Sequence, residues 1–348
     1  MLKEMNTPDN VILDRLGRIF LVITNRCGAS CKLCSYWQSE PVKYLDLSFI
    51  RQKIVPLISK YRVEVTFVTG GEPTLHPHLP EILKEISTTG TSITLITNGS
   101  ALNKVFDSIK KYVDAYMLSL DAGNPRLHYK IRGLDNFSEL ISWPGKIKAQ
   151  NPRTQVAFSC LLQKENAADI VNLYRLTART GCDALFFNVP ELRPGCFGRT
   201  VFSREAAENC HLSDGELEML EVYLEEIVEL DHRRGKLPQG EDFFSECVDY
   251  FKRLRHSEDR RNLEKKGIYY DKEDAEHRDR ICGIPFSSLI IDENSRLLPC
   301  FYLPFSIPFA GETDNIVNHH DLSQVRWEIL NNRAFREMHC HNCLQFQA

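Results

Sequence analysis

Between Arg18 and Glu191 the chain alternates short apolar runs with amphipathic stretches, and no other feature limits its fold so tightly. The runs Ile19–Thr24, Glu64–Thr69, Ser92–Thr97, Ala115–Leu120, Gln155–Leu161 and Ala184–Val189 read as strands buried on both faces, the pattern of parallel pairing. Helix-like stretches such as Leu47–Lys60, Leu79–Thr88 and Ala167–Thr180 lie between them. Repeated βα units of this kind build a parallel α/β sheet. Six are too few for a closed eight-stranded barrel, so the expected fold is a partial (β/α)6 TIM-type barrel. Ligands on such folds gather outside the carboxyl ends of the strands. Cys27, Gly70, Asn98, Ser119 and Asp121 all fall at those ends.

After Glu191 the character changes. Leu212–Arg234 and Phe243–Lys266 are charged and helix-like, and Asp271–Glu276 is acidic. A strand pair follows, Ser288–Asp292 and Arg296–Pro299, turning around Asn294, and Leu322–His339 reads as a helix. The expected organisation is an extension at 1–17, a core at 18–203, a helical bridge at 204–279 and a small hairpin/helix domain at 280–348.

Lys and Arg number 43 against 47 Asp and Glu, a net charge of −4, which gives no support to a nucleic-acid groove or an anionic membrane patch. No apolar run approaches the ~20 residues of a membrane span. Met1–Arg15 lacks the apolar region of a signal peptide. The expectation is a cytoplasmic protein with no membrane and no nucleic-acid partner. Twelve cysteines are then many, and in a reducing compartment clustered thiols point to metal or redox chemistry.

Seven of the twelve form two groups. Cys27, Cys31 and Cys34 make C-x3-C-x2-C directly after the first strand. A closed zinc site needs four ligands, and this loop holds no fourth; the nearest later His is His76. Three cysteines on a four-iron cluster leave one iron open to a chelating ligand. A zinc site completed by a distant His, or plain reduced thiols, fits the spacing too. Gly70-Gly71-Glu72-Pro73 ends the second strand, where paired glycines let a ligand approach the backbone and a carboxylate can meet an ammonium.

Taken together, these motifs resemble the radical SAM superfamily. Cys27, Cys31 and Cys34 match its cluster motif, and Gly70, Gly71, Glu72 and Pro73 match its GGEP motif, which contacts the amino group of S-adenosylmethionine. Thr97-Asn98-Gly99 matches a common third-strand ending. Ser119-Leu-Asp121, followed by His128 and Ile131-Arg132-Gly133, is similar to the fourth-strand pattern, in which Arg132 reaches the cofactor carboxylate; Asn166 matches after strand five. Leu33 stands where an aromatic is commoner, with Tyr36 and Trp37 following the motif. The resemblance implies S-adenosylmethionine and a catalytic 4Fe–4S cluster, reductive cleavage to a 5′-deoxyadenosyl radical, hydrogen abstraction from a substrate, and a flavodoxin- or ferredoxin-type electron donor.

The second group, Cys282, Cys300, Cys340 and Cys343, flanks the strand pair and closes the last helix. Four such thiols hold zinc or an iron–sulfur cluster equally well, and His339 and His341 stand beside them. Downstream of a radical SAM core the arrangement is similar to the Twitch domain, the shorter relative of SPASM, which implies one auxiliary 4Fe–4S cluster. Ala348 ends the chain five residues after Cys343, leaving room for one such cluster. That resemblance implies a two-electron oxidation or bond formation on a sugar or aminocyclitol, or on a ribosomally made peptide. Only Met1–Gly17 precede the first strand, which favours the small substrate over one delivered by an N-terminal leader-binding domain. Cys196, in the loop Arg193–Gly198, is either an inert thiol or the hydrogen donor of a radical SAM epimerase. A non-enzymatic zinc-binding module is the remaining alternative.

Overall fold

The structure, a computed structural model, describes residues 7–8, 11–191, 210–256, 281–309 and 313–340. Cys196 and its loop, Asp271–Glu276, His341 and Cys343 lie outside them. All six expected strands form, as β1 (Arg18–Val22), β2 (Val65–Thr69), β3 (Ser92–Thr97), β4 (Ala115–Ser119), β5 (Gln155–Leu161) and β6 (Ala184–Asn188). The expected hairpin gives β7 (Ser288–Ile291) and β8 (Arg296–Leu298), and the short β9 (Ile307–Pro308) follows. The chain divides into two compact units, one of Met1–Arg26, Glu40–Thr94 and Lys272–Ala348, the other of Cys27–Ser39 and Leu95–Asp271. The boundary falls inside β3.

In the first unit the strand order is β2-β1-β7-β8-β9. β1 pairs parallel to both neighbours, with Phe20 opposite Phe67 on one side and Ile290 on the other. Side chains alternate across the pleat. Ile19 and Leu21 are fully buried on one face, while Phe20 on the other stacks on Phe67 at 4.6 Å. The parallel β1–β7 pairing is a difference from the sequence reading, in which the hairpin stood with the C-terminal domain. All four residues of β7 are buried, as a doubly covered strand requires.

Helices of this unit follow local rules. Leu79–Ser87 buries Leu79, Ile82, Leu83 and Ile86, one stripe at helical spacing. Asp46 accepts the N–H groups of Ser48 and Phe49 and opens the stretch that runs to Lys60, interrupted by a π turn at Ile50–Ile54. The single helix expected at 322–339 is two, His320–Asn331 and Arg333–His339. Asn332 turns extended (φ −111°, ψ 101°) and its side chain accepts the Phe335 N–H, so it ends one helix and caps the next.

In the second unit β6, β5 and β4 lie side by side, all parallel, with Leu118, Phe158 and Leu185 in register and fully buried. Helix Asp214–Asp231 begins two residues later than Leu212 because Ser213 and Glu216 form a reciprocal capping box. Among the described residues no strand continues beyond β6 or β9. The fold is therefore mixed α/β on a parallel sheet that does not close, as the βα count predicts. No described helix is long and apolar enough to cross a membrane.

Candidate active site

Cys27, Cys31 and Cys34 lie on a half-exposed loop of the second unit. Its path is set by the helix Pro125–Arg132. Asn124 caps that helix by accepting the Leu127 N–H, and Gly133 ends it in the left-handed region (φ +66°). The Ser30 and Lys32 N–H groups then bond the last carbonyls, of Arg132 (2.9 Å) and Ile131 (3.3 Å). A Cβ on Gly133 would meet Ser30 Oγ at 1.9 Å, so the glycine serves both the turn and the close approach. Trp37 pins the far end, its Nε1 donating to the carbonyls of Cys34 (2.9 Å) and Cys31 (3.3 Å). Lys32 pairs with Glu165 at 2.5 Å.

The sulfur atoms are themselves addressed. Ala29 N–H and Asn98 Nδ2 reach the Cys27 sulfur at 3.4 and 3.7 Å. Burial pushes the Cys31 thiol up, and the Arg132 guanidinium pulls against it. Among the described residues no three His, Cys, Asp or Glu side chains are drawn tightly enough together to grip one ion as they stand. The donor set nonetheless fits a four-iron cluster with one open iron: three thiols on one loop, already supplied with N–H donors.

Around this loop the second unit gathers Asp121, Arg132 and Asn166. Arg132 Nη1 donates to Asp121 Oδ2 at 2.6 Å, and Leu161 N–H donates to Oδ1 at 2.8 Å. Burial opposes the guanidinium charge, but the Asp121 carboxylate together with the Cys31 and Cys27 sulfurs outweighs it and holds Arg132 above its ordinary range. Its Nε is buried without a partner. Asn166 is a clasp: Nδ2 donates to the carbonyls of Asp121 (2.9 Å) and Leu161 (2.8 Å), and Oδ1 accepts the Gln163 N–H. Ser119, half-buried, ends β4 opposite Ser159. Two residues went unsingled in the sequence: Asn136 and Asp169. Asn136 reaches back to the Asn98 carbonyl, and Asp169 accepts the Gly123 N–H. Neither carries a local signal beyond being polar.

In the first unit, Gly70 (φ +138°) and Gly71 lie flat on the segment leading into Cys27. Cβ atoms there would come within 2.3 Å of the Thr24 and Arg26 carbonyls. Gly71 and Glu72 N–H groups donate to those same carbonyls at 2.7 Å. Glu72 is fully buried, its Oε1 accepting from Thr74 N–H (3.0 Å) and Oγ1 (2.6 Å), and Pro73 starts the turn that follows.

The second cysteine group is built differently, within the first unit. Cys282, Cys300 and Cys340 share one buried cluster with Leu303, Val325 and Ile329. Burial pushes the Cys282 thiol up. Tyr302 N–H reaches the Cys300 sulfur at 3.4 Å, and Phe301 meets Phe20 of β1 edge-on at 5.3 Å. The His339 ring packs on Phe335 (4.7 Å) and Phe305 (5.4 Å).

With the thiol loop and the glycine pair in place, the comparison with known proteins is specific. Residues 21–177 match the model of the Radical SAM superfamily. Those residues form a radical SAM domain. The domain's cysteine loop, glycine pair, Asp121 and Arg132 all lie within the match. In sequence the chain is 26% identical over 238 residues to a probable GTP 3′,8-cyclase of Metallosphaera sedula, covering 66% of this chain and 73% of that protein. It is 26% identical over 192 residues to a GTP 3′,8-cyclase of Chlorobaculum tepidum, covering 53% of this chain and 57%, under two thirds, of that one. In structure it resembles SuiB of Streptococcus suis bound to S-adenosylmethionine (TM-score 0.62, 16% identity, 90% of this chain and 68% of that). It also resembles anSMEcpe with bound AdoMet (TM-score 0.61, 14% identity, 90% of this chain and 84% of that). The two structural likenesses show a shared fold.

Proposed function

We propose that the protein is a radical SAM oxidoreductase with an auxiliary 4Fe–4S cluster, acting on a sugar or aminocyclitol or on a ribosomally made peptide. The observation that carries this reading is the burial of Cys282, Cys300 and Cys340 in one cluster, although 58 positions separate the first from the last. Three thiols from distant segments in one buried cluster support a second iron–sulfur cluster. Cys343 is the fourth ligand. Cys27, Cys31 and Cys34 hold the catalytic cluster, which when bound supplies the electron that splits S-adenosylmethionine to methionine and a 5′-deoxyadenosyl radical. The Gly70–Gly71 backbone and Glu72 receive the cofactor's ammonium, and Arg132, steadied by Asp121, receives its carboxylate. Ser119 and Asn98 border it, and Pro73 and Asn166 hold the two turns in shape. Hydrogen abstraction would take the first electron of the oxidation from the substrate, the auxiliary cluster would accept the second, and a flavodoxin- or ferredoxin-type protein would supply the electron that reduces the catalytic cluster. Cys196 keeps its place as the hydrogen donor of an epimerase reading.

A second reading rests on the sequence relatives, which carry the name GTP 3′,8-cyclase. One experiment separates the two. Anaerobically reconstituted protein is given dithionite, S-adenosylmethionine and GTP, and 5′-deoxyadenosine and GTP consumption are followed. About eight irons per chain, with cofactor cleavage but no GTP turnover, supports the oxidoreductase. GTP-dependent cyclised product replaces it.

A further inference from the structure

Asn98 sits in a turn that leaves its side chain little choice. Thr97 Oγ1 accepts the Gly99 N–H (3.0 Å), and Gly99 is left-handed (φ +77°). Asn98 Oδ1 accepts the Ser100 N–H at 2.9 Å, which turns Nδ2 toward Cys27. Behind this turn stands a second amide. Asn136 Nδ2 donates to the Asn98 carbonyl at 2.9 Å, while its Oδ1 lies 3.3 Å from His128 Nε2. His128 is fully buried, and burial, with Arg132 nearby, pushes its imidazole down to about 4. The ring is therefore neutral at pH 7, and the Nε2–H tautomer is the one that suits Asn136 Oδ1. His128 and Asn136 thus hold the Asn98 backbone while the Asn98 side chain reaches one cysteine sulfur, which also receives the Ala29 N–H.

We infer that Asn98 is a donor to the Cys27 sulfur that makes the catalytic cluster easier to reduce, and that Asn136, backed by His128, is the positioning residue that aims it. The inference rests on the assignment of Cys27, Cys31 and Cys34 to that cluster. Hydrogen bonds to cluster sulfurs stabilise the more negative, reduced state and so raise the reduction potential. A donor held by a rigid turn and a buried ring costs no reorganisation when the electron arrives. Asn98 then serves the thiolate with Nδ2, and its role toward S-adenosylmethionine falls to other groups.

The test is an EPR-monitored redox titration of the catalytic cluster in protein lacking the second group (Cys282→Ala, Cys300→Ala, Cys340→Ala), so that one signal is read. Into it are introduced Asn98→Asp, Asn98→Ala and Asn136→Ala. The expected result is about four irons in each and a potential more negative than the parent's, with Asn98→Asp shifted furthest and Asn136→Ala least. Asn98→Asp keeps the acceptor for Ser100 N–H, so the turn survives in that variant. Full iron with the parent's potential in all three overturns the inference. Loss of iron from all three overturns it too, since the residues would then hold the loop and not tune it. Absence of iron and of an EPR signal from the parent is a different failure, that of the cluster assignment itself.

Discussion

The two cysteine groups solve opposite problems. Cys27, Cys31 and Cys34 lie within eight positions, half-exposed, on a loop whose course is dictated by backbone hydrogen bonds to a helix end. Cys282, Cys300 and Cys340 come from a turn, a hairpin strand end and a helix end, and meet inside an apolar cluster. A group that must admit a ligand needs thiols that the chain presents without closing over them. On the proposed function the second group only relays electrons, and such a group gains from being sealed, because a low-dielectric surround limits solvent reorganisation and keeps out oxygen. The first group is therefore written locally and the second through tertiary packing.

The largest effect expected from this contrast belongs to the loop. Replacing Cys27, Cys31 and Cys34 by Ala should remove about four irons and abolish 5′-deoxyadenosine formation while the melting curve stays close to wild type. Reductive cleavage surviving in that variant would sink the assignment. Replacing Cys282, Cys300 and Cys340 should remove the other irons, spare cofactor cleavage and stop product formation. Here the melting temperature should also fall, since the thiols are part of a core; stoichiometric zinc in native, anaerobically isolated protein would contradict the cluster.

Smaller effects sharpen the picture of the loop's wall. Arg132→Ala deletes one partner of a buried charge pair, a loss of about 2–5 kcal/mol in a binding site. S-adenosylmethionine affinity should drop tens-fold or more with iron retained, and isothermal titration of the iron-loaded variant would show it. Wild-type affinity removes Arg132 from the site.

His128 gives a pH dependence confined to this wall. Its imidazole is pushed down to about 4 in the folded chain, against about 6.5 unfolded. The unfolded state therefore takes up the proton first as pH falls. The stability gained from the neutral ring is intact above about pH 6.5 and is lost progressively toward 4. Between pH 7 and 5 the loss is about 2 kcal/mol, and His128→Gln should flatten that slope in urea melts. An unchanged slope would mean the ring is protonated in the fold.

Gly133→Ala carries the smallest predicted cost, about 1–2 kcal/mol for a Cβ in the left-handed region, plus the rearrangement of Ser30. Adding Ser30→Ala should restore loop iron without restoring all of the stability. Equal iron in both variants would show that the loop does not depend on this approach.

The same contrast explains what the sequence made legible. The six strands could be read because short runs rich in apolar and β-branched residues, such as Ser92–Thr97 and Gln155–Leu161, recur between amphipathic stretches, and the glycines at 70, 71 and 133 mark positions where a Cβ has no room. Pro125 and Gly133 bracket a helix that any chain would start and stop there. The β1–β7 pairing was not legible, because the pattern of a strand states that it is buried but not against which partner. The break at Asn332 hides in a run that is helical in composition on both sides. Asn136 escapes for another reason: its importance lies in where its side chain points, 38 positions from the carbonyl it holds.

β1 sits between β2 and β7, and its pairings with them begin at positions 65 and 288. On the ribosome, the edge that β7 will cover waits for some 270 further residues to be made. At ~5–20 residues per second that is roughly a quarter of a minute to a minute. Throughout that interval an apolar strand bearing Phe20 and Leu21 presents unpaired backbone groups along one side, the template that neighbouring nascent chains add to most readily. The late parallel closure also raises the contact order of the first unit, and such closures are slow. The sheet of the first unit is therefore complete only once β7 has been made, long after β1 and β2.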